Sequence, residues 1–105
     1  MITTFKIFEE LKPELGDYVI CYENSKSITN FLNNNIGIIV EHDKIRMYEY
    51  LIKYENVPYE LKDWFSDEDD RDFTNCRRMG KYEIAHFSKY KEELEEILVT
   101  NKYNI

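Results

Sequence analysis

Residues 36–55, IGIIVEHDKIRMYEYLIKYE, limit the fold of this chain more than any other stretch. Two runs rich in β-branched and aromatic residues, Ile36–His42 and Ile45–Glu55, flank the dipeptide Asp43-Lys44. That spacing predicts a β-hairpin, although Asp-Lys makes a poorer two-residue turn than Asp-Gly. Side chains alternate across a strand. Tyr48, Tyr50, Ile52 and Tyr54 therefore line one face of the second run, and Met47 and Leu51 lie on the other among Glu49 and Lys53.

The segment LKPELGDYVICYE adds a second constraint. Pro13 and Gly16 punctuate a turn, and Tyr18–Glu23 has strand composition. Val19 and Cys21 share one face while Tyr18, Ile20 and Tyr22 share the other, so both faces need cover. A sheet open to water on one side would alternate apolar with polar residues instead. Two shorter strands, Asn75–Met79 and Tyr82–Phe87, are expected around Gly80-Lys81. Residues 24–35 read as a polar loop in which Ile28, Phe31 and Leu32 pin one helical turn. PYELKDWF begins a short turn behind Pro58.

The termini read as helical. Thr4–Leu11 fits a short helix capped by Thr3 or Thr4 and stopped by Pro13, while the alternation of Phe5 and Ile7 equally allows an edge strand. Ser88–Thr100 carries Tyr90, Leu94, Ile97 and Leu98 at i, i+4, i+7, i+8 with Glu92, Glu93, Glu95 and Glu96 opposite, the pattern of a docked amphipathic helix. At 105 residues the chain fits one domain, residues 1–105, with strands over about 14–87 and a closing helix over about 88–100. The expected class is mainly β, of the α+β type, with five meandering strands.

Three of these segments carry a resemblance. LKPELGDYVICY resembles the opening of SH3-like small barrels, where Leu-x-x-Gly-Asp-x-Val leads into the first strand. IGIIVEHDKIRMYEYLIKYENVP resembles their central hairpin. YEIAHFSKYKEELEEIL is similar to the ending of small phage and prophage proteins of this shape, in which a strand gives way to Ser-Lys-x-Lys and an amphipathic helix. The resemblance spans about residues 11–98. It implies an SH3-like five-stranded small barrel with a short N-terminal helix and a C-terminal amphipathic helix, and a phage origin. Such barrels bind peptides, nucleic acids or proteins, so the fold alone assigns no activity.

Charge and motif content narrow the function. With 21 acids against 14 Lys and Arg the net charge is −7, a field that repels nucleic-acid phosphates and favours basic partners. Cys21 and Cys76 form neither a CxxC pair nor a disulfide framework, which fits reduced thiols in the cytoplasm. The sequence shows no secretory leader and no apolar run long enough for a membrane span. An EF-hand loop begun at Asp67 would place Arg71, Asp72 and Arg78 where a ligand, a glycine and a glutamate belong, so that signature fails. His42 and His86 read as structural, Ser88 as a helix cap and Cys21 as core. Only Gly16, Gly37 and Gly80 occur, which leaves no phosphate-cradling loop. No catalysis, metal or cofactor is expected.

What remains is surface chemistry. DWFSDEDDRDF gathers Asp63, Asp67, Glu68, Asp69, Asp70 and Asp72 beside Trp64 and Phe65, which are expected to anchor the loop. It reads either as a solvated connector or as an acidic contact surface. Tyr50 and Tyr54 belong to the core, whereas Tyr18, Tyr22 and Tyr48 are free to meet a partner. The expected function is non-enzymatic binding, by acids and tyrosines, to a host protein with a basic surface, such as a nucleic-acid-binding defence complex. Inhibition of the anti-CRISPR kind would be one form. The alternative is an oligomeric small-molecule binder, such as a sponge for a signalling nucleotide, with Arg46, Arg77, Arg78 and Lys81 contacting phosphates between subunits.

Overall fold

The computed structural model describes residues 12–65 and 74–103. The expected helix at Thr4–Leu11 lies outside them. Five strands form one antiparallel sheet: β1 (Tyr18–Cys21), β2 (Gly37–His42), β3 (Tyr50–Lys53), β4 (Cys76–Met79) and β5 (Ile84–Ser88). Their order is β4-β3-β2-β1-β5. Among the described residues two α-helices, α1 (Lys26–Asn34) and α2 (Lys91–Tyr103), and two 3-10 turns, Tyr59–Trp64 and Lys81–Glu83, accompany the sheet.

The strand order dictates the shape. β4 and β5 lie at opposite edges, four strand spacings apart, which in a flat sheet is about 19 Å. Only Gly80 and the 3-10 turn Lys81–Glu83 join them, and at about 2 Å per residue such a turn falls far short of that span. The sheet must therefore curl until its edges approach. Bulges supply the extra twist, one between Ile20 and Cys21 opposite β5 and one between Ile39 and Glu41 opposite β3. Among the described residues no β4–β5 ladder closes the curl into a cylinder, so the hydrogen-bonded barrel expected from the sequence is not found. The Tyr22 amide, donating to the Glu83 carbonyl at 2.8 Å, extends the β1–β5 ladder by one step, and β4 is tied across the opening by the side chain of Arg77 on Glu23.

The concave side holds the core. Val19 and Cys21 from β1, Ile39 from β2, Tyr50 and Ile52 from β3 and Met79 from β4 are all buried there. The predicted alternation of Tyr50, Ile52 and Tyr54 is correct, and Tyr54 is 1% exposed. Residues 24–35, expected to form a loop with one helical turn, instead give a nine-residue helix. Its Ile28 and Leu32, one turn apart, are fully buried. Phe31 packs edge-on against Tyr54 at 5.5 Å and Phe65 at 5.2 Å, and those two rings lie 5.4 Å apart. This aromatic triangle ties α1, the end of β3 and the first 3-10 turn together, with each ring pair contributing about 0.5–1.5 kcal/mol beyond its burial.

Three expectations change. The hairpin is present, but β3 begins at Tyr50 and not at Ile45, so residues 43–49 form the connection. Asp43 organises it: its amide donates to the Glu49 carbonyl at 2.8 Å and its carboxylate accepts from the Ile45 amide at 3.1 Å, a turn Asp makes and Asp-Lys as a two-residue loop does not. The strands after residue 74 are not a pair, because β4 joins β3 and β5 joins β1. The closing helix starts at Lys91, since Ser88 still pairs with Tyr18 in β5. α2 packs on β5 and β1 through Leu94, which is buried, while Tyr90 stays exposed.

Gly37 is the tightest point of the sheet. A Cβ there would stand 2.4 Å from Ile52 Cγ2 and 2.9 Å from Tyr54 Cζ. Gly37→Ala is expected to lower stability by about 1–3 kcal/mol through overpacking, read as a drop in the urea midpoint at unchanged m-value.

Candidate functional site

The rim of the curled sheet beside the β4–β5 connection is organised by one ion pair. Arg77 in β4 is the cross-strand partner of Ile52, so its stem rises from the concave face and its head reaches the rim. There Nε and Nη2 donate to the two carboxylate oxygens of Glu23 at 2.9 and 2.7 Å. Nη1 donates to the Trp64 carbonyl at 3.0 Å, and the guanidinium carbon lies 5.7 Å from the Trp64 ring centroid. All three guanidinium nitrogens are engaged in this planar fork. Arg77 thereby fastens β4 to the residues after β1 and to the first 3-10 turn. Glu23 is positioned from its other side by α1, whose Thr29 hydroxyl meets the Glu23 and Ser25 carbonyls and donates to one of them.

Beneath the clamp Cys21 and Tyr54 are buried. Burial pushes the Cys21 thiol up to about 12, with the charges of Glu83 and Glu23 adding to the effect and the Tyr54 hydroxyl opposing it. Tyr54 is itself raised well above its usual value, first by burial and then by Cys21, with Arg77 partly opposing. Cys21 is thus a protonated core residue and no nucleophile.

Two clefts open at this rim and share Glu23, Tyr48 and Glu83 as their common wall. The inner cleft, about 340 Å³, runs over Leu51 between Trp64, Arg77 and Arg78. Of its two arginines, Arg77 pairs with Glu23 and Arg78 approaches Glu41 at 3.4 Å. The outer cleft, about 680 Å³, is different. Glu23, Glu49 and Glu83 line it, with Glu23 already paired to Arg77, and among the described lining residues Lys81 is the one Lys or Arg. Its apolar surface comes from Tyr22, Met47, Tyr48 and Tyr82, which are 50%, 85%, 52% and 94% exposed. Four large side chains so exposed and so close together form an apolar patch on the surface. The carboxylates are held in place: Glu83 accepts from the Gly80 amide at 2.8 Å, and Glu49 meets His42 Nε2 at 2.8 Å. Lys81 Nζ already sits 5.6 Å from the Tyr82 ring centroid, a cation on an aromatic face.

The residues singled out from sequence fall into three groups. Tyr22 and Tyr48 come together in the outer cleft. Tyr18 does not join them: it is half-buried in β1, paired with Ile38 and Ser88. Asp63 is exposed at the end of the first 3-10 turn, and Asp67, Glu68, Asp69, Asp70 and Asp72 lie outside the described residues. Of the proposed phosphate contacts, Arg77 holds Glu23, Arg78 approaches Glu41 at 3.4 Å and Arg46 approaches Asp43 at 3.2 Å. Each would have to exchange a carboxylate for a phosphate. Phe65 anchors its turn as expected, at 1% exposure, whereas Trp64 is 42% exposed and carries Arg77. Sequence reasoning missed Met47 and Tyr82 because both were assigned to strands, where alternation gives every second residue a buried face. The one available signal was Tyr82 following the Gly80-Lys81 breaker.

The chain matches no protein-family model, no curated protein and no solved structure. Among the described residues, no group of three His, Cys, Asp or Glu gathers as a metal site, and no helix is long and apolar enough to cross a membrane.

Two measurements check this geometry. In a double-mutant cycle, Glu23→Gln and Arg77→Gln should couple by about 1–3 kcal/mol in urea unfolding, because each side chain is only 21% exposed and the bond is bidentate. Simple additivity would show the pair to be a solvated surface contact. The raised Cys21 and Tyr54 values predict alkaline sensitivity. Both groups favour the protonated, native form, so their contribution is complete below the unfolded thiol value near 9.0 and fades as pH climbs toward about 12. Urea midpoints should fall across that window, and Cys21→Ala should flatten its lower part.

Proposed function

We propose that this chain is a non-enzymatic binding protein whose outer cleft receives a basic, partly apolar surface of another protein. One observation carries the reading: three exposed tyrosines and Met47 share a cleft with Glu49, Glu83 and the Arg77-bound Glu23, and among its described lining residues Lys81 is the one Lys or Arg. Tyrosine supplies apolar area with a polar tip at little entropic cost, which is why it dominates binding hot spots. The carboxylates would select a cationic partner and speed its approach, and the chain's charge of −7 acts in the same sense. Asp63, exposed at the end of the first 3-10 turn, adds a further acid, and in sequence it is followed by Asp67, Glu68, Asp69, Asp70 and Asp72.

The finer form of the reading adds an SH3-like barrel, encoded by a phage, acting on a host protein that itself binds nucleic acid. The strand order with a 3-10 turn between the last two strands supports the barrel type, and the similarity of the ending to phage proteins supports the source. The nucleotide-sponge alternative draws less support, since Arg46, Arg77 and Arg78 each already face a carboxylate.

Capture from host lysate, with mass spectrometry, tests the proposal. Wild type is compared with Tyr48→Ala/Tyr82→Ala and with a variant carrying Asp67→Asn, Glu68→Gln, Asp69→Asn and Asp70→Asn. The tyrosine pair should lose the partner, each truncation costing about 2 kcal/mol or more, and added salt should weaken the wild-type complex. A partner kept by the folded tyrosine variant, or one indifferent to salt, would sink the cleft reading. Loss in the loop variant alone would move the contact to the acidic run.

A further inference from the structure

A third cleft, about 490 Å³, lies beyond the Glu49–Lys81 wall of the outer one and has the opposite character. Lys12, Lys44 and Lys81 converge on it from three separate parts of the chain. Two carboxylates line it. Glu49 is hydrogen-bonded to His42 at 2.8 Å and Glu14 is the other, so three ammonium groups stand against two carboxylates. In a chain with half again as many acids as bases, a place where cations outnumber acids calls for a physical reason.

The backbone that carries each lysine is fixed. The Tyr50 hydroxyl donates to the Pro13 carbonyl at 3.2 Å and holds the segment of Lys12 against β3. Asp43 ties the loop of Lys44 through the Glu49 carbonyl and the Ile45 amide. The 3-10 turn of Lys81 is closed by Glu83 on the Gly80 amide. The floor is a ring pair: His42 lies flat on Tyr50, centroids 4.3 Å apart and planes within 5°. His42 keeps some exposure there, its side chain 22% accessible.

We propose that this cleft binds the phosphate group of a small phosphorylated ligand. Lysine ammoniums act as point charges that need no fixed fork, so three of them can share the oxygens of one phosphate. The flat His42–Tyr50 pair adds a surface on which a base can stack. The overall charge of −7 opposes an anion at long range, but screening confines that opposition to about 8 Å in physiological salt. Contact with the three lysines then decides binding. The site shares Lys81 and Glu49 with the outer cleft, but Lys12 and Lys44 do not line that cleft, so the two can be tested apart.

The test follows the ring protons of His42 by NMR while inorganic phosphate, pyrophosphate or ATP is added at ionic strength held constant with sodium chloride. A saturable shift of His42 is expected. It should weaken by about tenfold, equivalent to about 1.4 kcal/mol, in Lys12→Gln/Lys44→Gln. Equal response to pyrophosphate and ATP assigns a bare phosphate site, and response to ATP alone assigns a nucleotide with its base on the ring pair. Shifts that fail to saturate, or an affinity unchanged in the double variant, overturn the proposal. Partner capture by the same double variant should match wild type, so failure here and failure of the protein-binding reading are told apart.

Discussion

The short passage from β4 to β5 is the constraint on which the structure depends. Two strands at opposite edges of a five-stranded sheet are joined by Gly80 and three residues of 3-10 turn. Wound into a 3-10 turn, that connection is too short for a flat sheet, so its conformation and the curvature of the sheet go together. Everything on the concave face then follows. Val19, Ile39, Tyr50 and Ile52 point toward one another because their strands wrap, and α1 covers the open end with Ile28 and Leu32. Gly37 is bare because curvature brings Ile52 and Tyr54 to where its side chain would be.

Curling without a closing ladder has a consequence at the rim. Where a sheet ends, backbone groups and polar side chains need partners. Here Arg77, Glu23 and Glu83 provide them. In energy the clamp is minor: a charged hydrogen bond contributes about 1.5–3 kcal/mol, and each large core side chain contributes a similar amount through burial alone. The core makes the fold stable. The clamp sets where the edges stop, and so how wide the clefts between them are. Its carboxylate and aromatic members therefore serve structure and surface at once. Glu23 cannot be removed to test binding without also loosening β4, whereas Tyr48 and Tyr82 can, since neither supports the core.

Much of the fold was legible because it rests on periodicity. Tyr50, Ile52 and Tyr54 alternate, Val19 and Cys21 alternate, and Leu94 sits where a docking helix needs it. Local pattern failed where long-range geometry decides. The alternation from Ile45 onward is as good as that from Tyr50, yet Asp43 captures the Ile45 amide and residues 43–49 leave the sheet. YEIAHF and NCRRM read as neighbours because they are adjacent in sequence, while strand order separates them by the whole sheet. Ile28, Phe31 and Leu32 marked a helix, but the polar residues around them hid its length, since α1 presents that polar face to water. The site was half legible. Tyr22 and Tyr48 were chosen because tyrosines in excess of core needs go to surfaces, and they do meet. Their carboxylate neighbours were invisible, because Glu23, Glu49 and Glu83 come from three segments and no linear run of acids announces them.

That last point separates two kinds of acidity. The run around residues 63–72 is dense in sequence, and a solvated connector could carry it at little cost in physiological salt. The outer cleft is sparse in sequence but convergent in space. Its charges are held by a backbone amide, a histidine and an arginine, and they stand among side chains that water alone would not favour. Density in sequence needs only tolerance of repulsion, whereas convergence needs a fold that places each group. The same argument applies to the lysine cleft across the shared Glu49–Lys81 wall, where cations meet from three segments of an acidic chain. The two clefts thus differ in sign while sharing one wall, and neither charge pattern can be read from the net charge of the chain.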